Sequence, residues 1–164
     1  VFNEPQTVEL FDRTGVLATN EVQARFEILN ETYVKKLQIE ARIIGDMCLN
    51  HVIPAAVRYQ NILIENVKGM KDIFGDDYLN YCASEIETLK KISTYINNVS
   101  ADVEGLVEAR KKANRIEAIA ERAKVYSYEV KDMMEKVRVS ADNLEMLIDD
   151  EVWPLPKYRE LLFF

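Results

Sequence analysis

Glu40, Asp46, Cys48 and His51 come nearest, by type and spacing, to residues that could do chemistry. His51 is the only histidine. A metal site on a helix needs ligands that return to one face, as in Glu-x-x-His or His-x-x-x-His, and neither pattern occurs. Cys48 as a nucleophile would need a base, and His51 is the nearby one. Both sit in an apolar stripe that packing explains better. The plain expectation for His51 is a hydrogen-bonded histidine inside a helical bundle. A small helical enzyme using Glu40, His51 and Cys48 stands as a third reading, and it requires a pocket where all three converge. Glu40 falls on the apolar strip between Leu37 and Ile44, so its carboxylate must find an Arg or Lys or reach the edge. No glycine-rich phosphate loop is present, so no nucleotide site is visible. Lys90, Lys91, Arg110, Lys111 and Lys112 form a solvated face or a docking surface for an acidic partner.

The elements that must position these residues are helices. The first runs from about Asn20 to Val67. Val22, Phe26, Leu29, Tyr33, Leu37, Ile44, Met47 and His51 recur at helical spacing along one strip. Ile28, Ile39, Ile43, Ile53, Val57 and Ile64 form a second stripe, roughly 120° around on a straight helix. A bundle helix normally needs one apolar stripe, so the second implies broad burial or a covering partner. Asn20 with Gln23 suggests a capping box at the start. Pro54 lacks an N–H and clashes one turn back at Asn50, which predicts a kink at a cost of about 3 kcal/mol. Gly69 is the expected stop.

A turn over Met70–Asp77 follows, with Asp76 or Asp77 able to cap the next helix. Helix 2 follows Leu79, Cys82, Ile86, Leu89, Ile92, Ile96, Val99, Val103, Leu106 and Arg110, in steps of three and four. Ser100, Asp102 and Gly105 weaken it locally and allow a bend. Asn114 with Glu117 suggests a second capping box. Helix 3 then shows Ile116, Ala120, Ala123, Tyr126, Val130, Met133, Val137, Ala141, Leu144 and Ile148. Short connections make successive helices antiparallel. The predicted fold is all-α: a long antiparallel three-helix bundle, its first helix kinked near Pro54, with an extended Pro/aromatic C-terminal tail. Residues 1–19 are a linker or short lead-in that packs loosely on the bundle, with Val8, Leu10 and Phe11 suited to a short helical turn ending near Gly15. Residues 20–151 are the bundle, and 152–164 a docking tail of the same domain.

The tail differs in kind. Asp149, Asp150 and Glu151 crowd a helix C-terminus, where the dipole disfavours anions, so a cation or backbone N–H should compensate. The prolines at 154 and 156 forbid a helix from Trp153 to Pro156. Trp153, Leu155, Tyr158, Leu161, Leu162 and Phe163 are too apolar for a free end, so the tail should dock on the bundle or on the rest of a parent protein.

Composition narrows the field. A chain of 164 residues with 48% apolar content suits one domain with a sizeable core. A formal charge of −7 disfavours a nucleic-acid surface. Cys48 and Cys82 are too few for a disulfide framework and fit a reduced, cytoplasmic setting. No apolar run reaches the roughly 18 residues of a membrane span, and no signal peptide is visible. The chain opens on Val1 with no initiator Met, which suggests a piece of a longer polypeptide.

Several runs carry a resemblance. Ala24-Arg25-Phe26-Glu27-Ile28, then Glu31-Thr32-Tyr33-Val34-Lys35-Lys36-Leu37-Gln38-Ile39-Glu40-Ala41-Arg42, resemble the C-terminal region of type III glutamine synthetases. So do Asn50-His51-Val52-Ile53-Pro54-Ala55-Ala56 with Tyr59-Gln60, and Glu108-Ala109-Arg110-Lys111-Lys112-Ala113-Asn114. The closing Trp153-Pro154-Leu155-Pro156-Lys157-Tyr158-Arg159-Glu160-Leu161-Leu162-Phe163 is similar to that family's terminal motif. The resemblance implies a parent that makes glutamine from glutamate, ammonia and ATP with Mg2+, as a cytoplasmic homo-oligomer. Its catalytic, metal and ATP residues lie upstream, so none is carried onto this chain, and no cofactor is expected in it. This chain would be a helical accessory domain, packing on the upstream catalytic domain or on neighbouring subunits. The surfaces assigned to that role are Ile28, Ile39, Ile43, Val57 and Ile64, with Trp153, Leu155, Tyr158, Leu161, Leu162 and Phe163. The alternative is a freestanding helical-bundle adaptor or coiled-coil module that binds a partner helix.

Overall fold

A computed structural model describes residues 4–162, without the side chains of Tyr158 and Arg159. Regular structure among these residues is entirely helical. Helix α1, Pro5–Thr14, starts on a proline, whose missing N–H needs no partner there. It ends at Gly15 in the left-handed region, φ 69°, with the Val16 N–H donating to Phe11 O at 3.2 Å. The lead-in is therefore a ten-residue helix laid against the next one.

Helix α2, Thr19–Met47, passes through a wide five-residue turn at Cys48–Val52 into α3, Ile53–Phe74. The helix does not end at Pro54. Backbone angles stay right-handed helical at Met47, Cys48, Val52 and Ile53. The Ile53 N–H reaches back five residues to Cys48 O. A π-type turn of this kind absorbs the ring of Pro54 without ending the helix. The start also differs from expectation. Glu21, not Gln23, reaches back, its carboxylate accepting the Ala18 N–H at 2.8 Å. Ala18 has no side-chain acceptor to return, so this is half a capping box.

Gly69 does not stop the helix. It lies inside α3 with no atom within 4 Å of where a Cβ would stand. The stop is Gly75, φ 59° and ψ −130°, which opens a short 3-10 turn, Gly75–Tyr78. Gly69→Ala is expected to raise stability by about 0.5–1 kcal/mol, because Gly disfavours a helix interior. Gly75→Ala is expected to lower it by about 1–3 kcal/mol, because the backbone there suits only glycine. Urea melts of the two variants check both signs.

Helix α4, Leu79–Asn114, starts without a side-chain cap, so Asp76 and Asp77 do not serve as expected. Its one irregular residue is Cys82, φ −129°, with its thiol donating to Tyr78 O at 3.1 Å. Ser100–Gly105 keeps helical backbone angles. The second predicted capping box is absent too. Asn114 remains in α4 and accepts the Tyr126 hydroxyl at 2.8 Å. The connection is held by Arg122 Nε, which donates to Ile116 O at 2.7 Å. Helix α5, Ile119–Val125, continues through a second wide turn, Tyr126–Val130, into α6, Lys131–Glu145. Residues 153–157 are not helical, and a single turn, α7 at Tyr158–Leu161, closes the described chain.

Partner numbers fall on one helix as they rise on the next. Gln38 donates to Asn114 and Gln60 to Ser93. Lys112 donates to Glu129, and Ser140 donates to Asp102 at 2.6 Å. The core between these helices holds Val34, Leu37, Ala41, Cys48, Val52, Ile92, Val99, Val103, Leu106, Tyr126, Val130, Val137 and Leu144. Helix 3's predicted series supplies Ala123, Tyr126, Val130, Val137, Leu144 and Ile148, all buried.

The inward face of α2 departs from the predicted strip. Leu29, Tyr33 and His51 point outward, while Val34, Ala41, Gly45 and Cys48 point inward. Gly45 lies toward α4, where a Cβ would stand 3.6 Å from Val103, an ordinary contact distance. Glu40 is exposed, the edge placement that was one of its two expected outcomes, and His51 is exposed rather than inside the bundle.

Candidate functional site

The three residues of the enzymatic reading do not meet. Cys48 is buried, and burial pushes its thiol up to about 11, away from the nucleophilic thiolate. Glu40 and His51 are exposed on the same long helix. Among the described residues, no group of three or more His, Cys, Asp or Glu side chains is placed to hold a metal ion. The basic residues of α4 are largely engaged with neighbours: Lys91 with Glu87 at 2.6 Å, Lys111 with Glu108 and Lys112 with Glu129, each at 2.8 Å. These exposed pairs stabilise by about 0–1 kcal/mol each.

What the structure does present is an apolar outer face. Ile28, Ile39 and Ile43 are 61%, 58% and 52% exposed. At 100° per residue they lie on the side of α2 facing away from Val34, Leu37 and Ala41. Helix α2 is therefore apolar on two opposed sides. Val57 and Ile64 continue the exposure on α3. An open cleft of about 530 Å3 lies over Ile28 and Leu29, edged by Glu21 and Arg25.

The tail residues divide. Trp153 is only 8% exposed, and Leu155 is half-buried against the same core, so both are taken up within this chain. Leu161 and Leu162 are exposed. The side chain of Tyr158 and the whole of Phe163 lie outside the described residues. The crowded acids after α6 have the compensation they require. Lys157 Nζ donates to Ile148 O at 2.9 Å and pairs with Asp150 at 2.6 Å.

Sequence reasoning missed a second exposed cluster, at the turn between α3 and α4. Phe74 and Tyr81 stack with ring centroids 4.2 Å apart, and Ile73 and Leu79 are exposed beside them. The signal was available in the clustering of apolar residues around Gly75, but Gly69 had been given the role of helix stop.

Residues 1–71, which take in α1, α2 and most of α3, match the family model described as glutamine synthetase C-terminal domain. Across 98% of the chain it is 43% identical to a glutamine synthetase of Bacteroides fragilis (strain YCH46). The chain is similar to glutamine synthetases over nearly its whole length, and to their C-terminal domain over residues 1–71. It is also 29% identical, over 96% of its length, to a glutamine synthetase of Butyrivibrio fibrisolvens. A type-3 glutamine synthetase of Dictyostelium discoideum is 28% identical over 98% of the chain. In each case the match covers 22% of the relative. The described residues of this chain form an all-helical unit, and no helix among them is long and apolar enough to cross a membrane.

Proposed function

We propose that this chain is a non-catalytic accessory domain of a type III glutamine synthetase. It is built as a long antiparallel three-helix bundle over residues 20–151, with a lead-in at 1–19 and a docking tail at 152–164. The crossing pairs Gln38–Asn114, Gln60–Ser93 and Asp102–Ser140 support the antiparallel order. Its role is packing, on the upstream catalytic domain and on neighbouring subunits of a cytoplasmic homo-oligomer. The parent makes glutamine from glutamate, ammonia and ATP with Mg2+. ATP, Mg2+ and the catalytic groups belong to the remainder of that parent.

One observation carries this reading: Ile28, Ile39 and Ile43 face outward, on the opposite side of α2 from its core. An outward bundle face is ordinarily polar, and apolar positions at this spacing ask for a cover. Val57, Ile64, Leu161 and Leu162 extend the candidate interface, while Trp153 and Leu155 support it from inside by holding the tail on the bundle.

Two measurements test it. The isolated 164-residue chain, mixed with glutamate, ammonia, ATP and Mg2+, is expected to form no glutamine under conditions where the full-length parent does. The same chain is expected to bind the separately produced remainder of the parent in a pull-down. Glutamine made by the isolated chain would end the non-catalytic reading. No association with the remainder, together with an unchanged parent oligomer after deletion of this region, would end the packing role.

A further inference from the structure

We draw no further inference here: the strongest candidate, the exposed apolar cluster of Ile73, Phe74, Leu79 and Tyr81 at the turn between α3 and α4, is an unpartnered surface patch, and nothing in the structure shows what covers it.

Discussion

Tyr126→Ala is expected to lower the free energy of unfolding by about 3–5 kcal/mol, the usual range for emptying a large aromatic site. Tyr126 is the largest fully buried side chain among the described residues, in the wide turn between α5 and α6. Its ring meets the core shared by α2, α4 and α6, and its hydroxyl donates to Asn114 Oδ1 at 2.8 Å. Burial pushes the phenol above its ordinary pKa, so it stays protonated and remains a donor. Tyr126→Phe separates ring from hydroxyl. It is expected to cost about 0.5–1.5 kcal/mol, toward the lower end, because Asn114 is exposed and water can replace the lost donor. Chemical denaturation of both variants decides the matter. Equal losses for the two would mean the hydrogen bond, not the ring, holds the turn.

The triple variant Ile28→Lys, Ile39→Lys, Ile43→Lys is expected to leave the isolated chain folded and to disrupt assembly of the full-length parent. Within the isolated chain these side chains are more than half exposed, so each change should fall within about 0.5 kcal/mol. Burying the remaining apolar area of an isoleucine adds about 1–1.5 kcal/mol, half the usual full-burial value. Three such residues together then contribute on the order of 4 kcal/mol, or about a thousandfold in an association constant. Three lysines in the same place add the penalty of desolvated, unpaired charge. Sedimentation velocity of the parent should show smaller species, while melting of the isolated chain barely moves. An intact oligomer would show that this face meets only water. A collapse of the isolated chain would show that it serves the chain's own fold.

Helix type and helix 3 were legible because their periodicity is a local property. The series from Ala123 to Ile148 marks the buried face of α5 and α6 residue by residue. The left-handed stop at Gly15 was equally plain, since φ 69° there suits glycine whatever surrounds it. The candidate interface was legible in part. Of the second stripe, Ile28, Ile39, Ile43, Val57 and Ile64 are exposed, whereas Ile53 is half-buried against the core. The cluster of Phe74 and Tyr81 was not, because it depends on a turn whose position was misjudged by six residues, from Gly69 to Gly75.

The sequence by itself determined that this chain is helical, where its chemistry is thin, and that one helix is apolar on more sides than a single core requires. These follow from spacing, charge and residue type, which need no partner to be read. Tertiary structure alone decided which side of α2 faces inward. Large side chains suggested Leu29 and Tyr33, but packing buries Val34, Ala41 and Gly45 instead. It also decided the fate of Pro54, since a widened turn at Cys48–Val52 lets packing carry the helix past a residue that would end it in isolation. Asn114 followed the same rule: the phenol of Tyr126, twelve residues on, takes the side chain that local pattern had assigned to a cap. Local preferences are worth about 1 kcal/mol each, and burial of a core side chain outweighs them.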